Sequence, residues 1–214
     1  MKKWSIVACL LMLFAGMALQ PIQTAEASPL LTWGSNSGDV WDLQYRLQLL
    51  GFYDSPLDGQ YGYQTQQAVR DFQSEYGLAV DGIAGSKTWT SLKQHSVNAA
   101  ELDMLAHLIY GEARGESYTG QVAVGAVVLN RVHSGMFPST VAGTIFQSGA
   151  FTAVDDGQYW LTPNETAYKA AWDAARGWDP SGGALYYFNP DTATSAWIWS
   201  RPQIKRIGQH IFMD

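Results

Sequence analysis

The sequence predicts an α+β protein in two parts: a small module of three short helices, then a mainly helical domain with a small β region at its end. Three observations predict it. The frame DGxxGxxT occurs twice, as LDGQYGYQT at 57–65 and VDGIAGSKT at 80–88. Apolar residues recur at helical spacing along most of the chain up to about Arg176. Short aromatic runs then take over, ALYYF at 184–188 and AWIWS at 196–200, and helices followed by strands is an α+β order.

The elements follow in order. Lys2 and Lys3 precede an apolar stretch from Ile6 to Leu19, then Pro21 and Ala25-Glu26-Ala27. This pattern reads as a secretory signal over residues 1–27, cut after Ala27. The stretch is short for a bilayer span, and an uncleaved signal is the one membrane contact the sequence offers. Cys9 is the only cysteine, so the processed chain has neither a disulfide nor a thiol nucleophile.

The module occupies residues 30–94. Val40, Leu43, Leu47 and Leu50 form a helical stripe closed by Gly51. Asp58-Gly59 and Asp81-Gly82 are turn dipeptides. The second glycines of the frames, Gly62 and Gly85, are expected in backbone conformations closed to other residues. Thr65 and Thr88 are expected where helices begin. Thr65, Ala68, Val69 and Phe72 form the second stripe, and Trp89 and Leu92 begin the third. His95 to Ala100 reads as a linker, 95–100, short enough to keep the two parts close.

The second domain is 101–214. Leu102, Leu105, Leu108 and Ile109 form a stripe that Glu112 continues on the same helix face. A long apolar run at 119–135 reads as a buried helix ended by Gly135. Ser139 is expected to cap a short helix through Gln147. Thr162-Pro163-Asn164-Glu165 reads as a capped start, with Thr162 as cap, of a helix that stops at Gly177. The runs at 184–188 and 196–200 read as strands. Five tryptophans, at 160, 172, 178, 197 and 199, read mostly as core.

Composition narrows the function. With 214 residues, 47% hydrophobic, and a net charge of −6, the chain is neither disordered nor built to bind nucleic acid. The strongest chemical candidate is Glu112. A carboxyl continuing a buried stripe is desolvated, and desolvation favours the protonated form a general acid needs. Gly111 beside it is expected to leave room for a ligand. Glu116, four residues on, either shares the site or pairs with Arg114 or Arg131 and holds a loop. The four histidines (95, 107, 133, 210) make no HExxH frame and no ligand spacing, so neither metal nor cofactor is expected.

Two stretches resemble known families. SGDVWDLQYRLQLLGFY, followed by DGQYGYQTQQAVRDFQSEYGLAVDGIAGSKTWTSL, with Gln44, Gly51, Gln73 and Gly77, resembles the three-helix peptidoglycan-binding domain of bacterial wall hydrolases. LIYGEARGESYTGQVAVGAVVLNRV, then FPSTVAGTIFQSGAF and GALYYFNP, resembles the catalytic domain of SleB-type spore cortex-lytic enzymes. That resemblance implies a lysozyme-like fold and a lytic transglycosylase that cleaves between N-acetylmuramic acid and N-acetylglucosamine. It implies Glu112 as the essential acid, with Gln147, Phe151, Tyr187 and Asn189 lining the sugar cleft; Glu116 is expected as a further substrate contact from its spacing to Glu112 alone. It implies peptidoglycan as partner, action in the wall or cortex outside the cell membrane, and a companion regulatory protein. The loop Gly149-Ala150-Phe151-Thr152 departs from the family pattern. Hydrolysis with a second acid (Glu116, Asp155 or Asp156), a metal amidase and a non-catalytic wall binder are the competing readings.

Overall fold

A computed structural model describes residues 28–214, so the expected signal at 1–27 lies outside the described residues. Nine α-helices and one three-stranded sheet are seen among the described residues. Helices α1 (Gly38–Leu49), α2 (Tyr63–Glu75) and α3 (Ser86–His95) surround a first apolar cluster containing Val40, Leu43, Leu47, Val69, Phe72, Trp89 and Leu92.

The repeat has a side-chain cause. Gln44 on α1 is fully buried, and its amide nitrogen lies 2.8 Å from Asp58 Oδ1, 3.1 Å from the Gln60 carbonyl and 3.0 Å from Thr65 Oγ1. Its Oε1 accepts from the Gly59 N–H at 2.9 Å. Gln73 on α2 repeats every contact one frame later, with Asp81, Ile83, Thr88 and Gly82. Each frame is therefore a turn latched to a glutamine of the preceding helix. The latch corrects the expected role of the glycines. Gly59 and Gly82 take the left-handed backbone, each with φ 69°, so that their N–H groups face the glutamine. Gly62 and Gly85 have φ of −97° and −89°, open to any residue, and precede the helices. Thr65 and Thr88 sit within the first turn, not ahead of it.

Gln44→Leu keeps the volume and removes the latch. It leaves the Gly59 N–H without an acceptor, and we expect the module to lose about 2 kcal/mol, read by chemical denaturation. The Gln44 hydrogen bond, with the Gln60 N–H, also holds Asp58 below the usual carboxylate range, and the Ile83 N–H and Gln73 do the same for Asp81.

Only Ser96, Val97 and Asn98 separate α3 from α4 (Ala99–Ala113), so half of the expected linker is helix. Asn98 and Glu101 close a reciprocal capping box. Arg46 of α1, 4% exposed, donates to the Ser96 carbonyl at 3.0 Å, pairs with Asp42 at 3.0 Å and reaches Glu101 at 3.7 Å. Leu49 of α1 belongs to the second apolar cluster, and Tyr45 meets Trp172 edge-on at 6.2 Å. The first unit is thus seated on the second.

The second cluster is built by α4, α5 (Tyr118–Ser134) and α8 (Glu165–Ala175). Leu105, Leu108 and Ile109 of α4 meet Val124, Val127 and Val128 of α5 and the alanine face of α8, Ala167, Ala170, Ala171 and Ala174. Small residues on α8 let the helices approach closely. Between α5 and α8 lie α6 (Val141–Ile145), α7 (Thr152–Asp155) and a 3-10 turn (Gln158–Trp160). Strands β1 (Tyr186–Phe188), β2 (Gln203–Ile207) and β3 (His210–Met213) form an antiparallel sheet in the order β1-β3-β2, with Tyr187 opposite Phe212.

Several boundaries differ from the sequence reading. Thr140, not Ser139, caps α6, which ends at Ile145. Asn164, not Thr162, caps α8, because its side chain accepts from the Ala167 N–H while Glu165 turns outward to Lys169. The run 196–200 forms α9 (Ala196–Trp199), not a strand. One helical turn sends Trp197 to Tyr186 and Trp199 to Phe188, whereas a strand would put both on one face. Trp160, Trp178, Trp197 and Trp199 are exposed and Trp172 is half-buried, so none of the five is sealed core.

Candidate active site

Glu112 lies in the last turn of α4, half-buried, where the apolar stripe meets the sheet. Two donors fix its carboxylate. The Ala153 N–H, one of the unpaired donors at the start of α7, reaches Oε1 at 2.6 Å. The Tyr187 hydroxyl of β1 donates to Oε2 at 2.8 Å. Burial, then the charge and hydrogen bond of Glu112, push the Tyr187 hydroxyl well above its ordinary pKa, so it keeps its proton.

Gly111 lines the cleft and also serves the packing of the protein. A Cβ there would lie 2.7 Å from Ala153 Cβ and 3.3 Å from the Gln158 and Tyr159 backbone. Its missing side chain lets α7 come close enough to reach Glu112.

The carboxyl opens onto both halves of a cleft. One half, of about 520 Å³, is lined by Glu112, Arg131, Phe151, Thr152, Tyr187, Asn189, Trp197 and His210 among others. The other, of about 370 Å³, is lined by Gly111, Glu112, Arg114, Glu116, Gln158, Asn189, Gln209 and His210. Glu112, Asn189 and His210 belong to both. The structure thus brings together Glu112, Glu116, Phe151, Tyr187 and Asn189. Gln147 is exposed in the turn that its carbonyl closes with the Ala150 N–H, outside both linings.

Glu116 pairs with neither Arg114 nor Arg131. Its Oε2 accepts from the Gln209 N–H at 3.1 Å and holds the turn between β2 and β3, while Arg114 turns to Gln158 and the Gly111 carbonyl. His107 is a structural histidine, with Nδ1 2.9 Å from the Tyr159 carbonyl.

Two residues at the site, His210 and Arg131, carry no signal of it in the sequence. His210 is 8% exposed, packs its ring on Tyr187 at 5.0 Å, and has a sealed Nδ1 with no partner among the described residues. Burial lowers its pKa, and the charges of Glu116 and Glu112 oppose that fall. Arg131 is buried on α5 beside Phe151 and Tyr186. The chain's return through β3 brings His210 to Glu112, and the packing of α5 on α4 brings Arg131, so no local spacing marks either. Among the described residues, no group of three or more His, Cys, Asp or Glu is placed to hold a metal ion.

The described residues thus form a helical unit with a repeat-latched core, seated beside a helix-and-sheet unit whose cleft is lined by Glu112 in both halves. Residues 36–92 match the family model described as "Putative peptidoglycan binding domain", and residues 115–213 match "Cell Wall Hydrolase". The spore cortex-lytic enzyme of Bacillus cereus is 46% identical over 246 residues, covering 94% of this chain and 95% of the relative. The spore cortex-lytic enzyme of Bacillus subtilis (strain 168) is 39% identical over 304 residues, covering 100% and 99%. The solved catalytic domain of the germination-specific lytic transglycosylase SleB from Bacillus anthracis is 65% identical, with a TM-score of 0.53, covering 55% of this chain and 97% of that one. The chain belongs to the spore cortex-lytic enzyme family.

Proposed function

We infer that this chain is a lytic transglycosylase that degrades spore cortex peptidoglycan in germination, with Glu112 as both acid and base. It cuts between N-acetylmuramic acid and N-acetylglucosamine and releases 1,6-anhydro-muropeptides. The observation that supports the reading most is that Glu112 is the one acid lining both halves of the cleft. Hydrolysis by a carboxylate pair needs a second acid across the bond. Glu116 is tied to the Gln209 N–H, and neither Asp155 nor Asp156 lines either half of the cleft.

The chemistry follows from the two hydrogen bonds. The Ala153 N–H fixes Oε1 as an acceptor, which leaves the transferable proton on Oε2. The Tyr187 hydroxyl beside Oε2 can donate to the carboxylate or accept from the acid, so it serves both states. Glu112 gives its proton to the glycosidic oxygen as the bond to C1 breaks. The resulting carboxylate takes the proton of the muramyl 6-hydroxyl as that oxygen attacks C1. The proton is returned and no water is consumed. Phe151 and Tyr187 flank the sugar in one half of the cleft, Glu116 in the other and Asn189 in both.

The enzyme works at the cell wall or cortex. Export through residues 1–27, residence between cortex and inner membrane, and control by a companion protein complete the proposal. Its test is digestion of purified cortex with product masses. Anhydro-muramyl ends are expected; reducing ends alone, heavier by one water, would reject transglycosylation.

A further inference from the structure

Arg131 is 6% exposed, yet it has no carboxylate within salt-bridge distance among the described residues. A buried cation without a counter-ion is costly. Its surroundings offset part of that cost and keep it in place. The guanidinium carbon lies 4.9 Å from the Phe137 ring, 4.8 Å from Phe151 and 5.4 Å from Tyr186, and Nε donates to the Leu185 carbonyl at 2.7 Å. That bond uses one of five N–H donors. The two terminal nitrogens have no hydrogen-bond partner among the described residues and are not sealed, and Arg131 lines the same half of the cleft as Glu112. Glu112 favours the cation through its charge but lies beyond salt-bridge distance, its oxygens accepting instead from the Ala153 N–H and the Tyr187 hydroxyl.

A fixed guanidinium edge facing a cleft matches the two oxygens of a carboxylate. The sugar rings of a peptidoglycan strand are uncharged. Only the muramyl residue carries an arm with a carboxyl group. We propose that Arg131 is the receptor for a carboxylate on the muramyl side arm, either the lactyl carboxylate of a peptide-free residue or a carboxylate of the stem peptide. The contact distinguishes muramyl from glucosaminyl rings and so sets which way the strand lies across Glu112. The inference rests on the reading that this cleft takes the glycan.

The test uses the full chain and chemically altered strands. Peptide-free glycan with lactyl carboxylates intact is compared with the same glycan after conversion to neutral methylamides. A third arm carries stem peptides with and without amidated carboxylates. For the native enzyme, kcat/KM is expected to fall on the order of 10- to 100-fold on the neutralised arm, with KM carrying the change. The arm that responds identifies which carboxylate is bound. Arg131→Met is expected to bring the charged and neutral strands within about twofold of one another. If that variant does not fold, Arg131→Lys keeps the charge without the planar edge and is expected to lose at least half of the preference. Equal cleavage of charged and neutral strands by the native enzyme, or a preference undiminished in the substituted one, overturns the proposal. Anhydro ends on every arm would show that the catalytic reading survives that failure, whereas their absence would reject the catalytic reading itself.

Discussion

Glu112→Gln is expected to leave the fold intact and to lower strand cleavage by about 10³-fold or more. The substitution is close to isosteric. The glutamine carbonyl can still accept from the Ala153 N–H, and its amide can donate to the Tyr187 oxygen, so both contacts of the native carboxylate have replacements. An amide has no proton to give the glycosidic oxygen and cannot take one from the 6-hydroxyl, so both halves of the reaction fail together. Anhydro ends released from purified cortex, measured by mass spectrometry, report the loss, and a thermal melt reports the fold. Undiminished lysis by a folded Glu112→Gln protein would mean that the chain acts as a wall binder or through another group.

The second large effect is expected one residue earlier. Gly111→Ala introduces a methyl group whose ideal position is 2.7 Å from Ala153 Cβ, with backbone atoms of Gln158 and Tyr159 at 3.3 Å. Real carbon neighbours do not tolerate that distance, and two of the three obstacles are main chain. The start of α7 must retreat, and the Ala153 N–H retreats with it. We expect about 1–3 kcal/mol of destabilisation from overpacking. We expect a further fall in kcat of about 10- to 100-fold, because the acid loses its fixed orientation. A kcat that falls well beyond the fraction unfolded separates lost orientation from lost protein. Native activity in a stable Gly111→Ala variant would show that the Ala153 contact is dispensable.

Legibility in the sequence followed the range of the interactions. The stripe from Leu102 to Glu112 could be read because helix periodicity is local. The two frames in the first unit could be found because they repeat. Their cause could not, since a glutamine 14 residues upstream of Asp58 leaves no spacing pattern of its own. The same distance effect hid Tyr187 and Ala153 as holders of Glu112. The resemblance pointed to Tyr187, but its bond to Glu112 spans 75 residues, and the Ala153 donor is a main-chain group that no side chain announces. The misread run at 196–200 has a different cause. Aromatic residues suit strands by propensity, but here one helical turn packs Trp197 on Tyr186 and Trp199 on Phe188, contacts between distant residues that propensity does not carry. At the start of α8, Thr162 and Asn164 are both good caps, and only the chain's path around Pro163 chose between them.

The joint at Arg46 has a mechanical consequence. Two units on a long tether cooperate through local concentration, and each searches the polymer on its own. Here three residues separate the helices, Arg46 is bonded across the gap, and Leu49 is buried in the neighbour's interior. A wall strand gripped by the first unit is therefore offered to Glu112 at one spacing and one angle, as a workpiece is by a jig. Where the blade falls is then fixed by where the clamp closes.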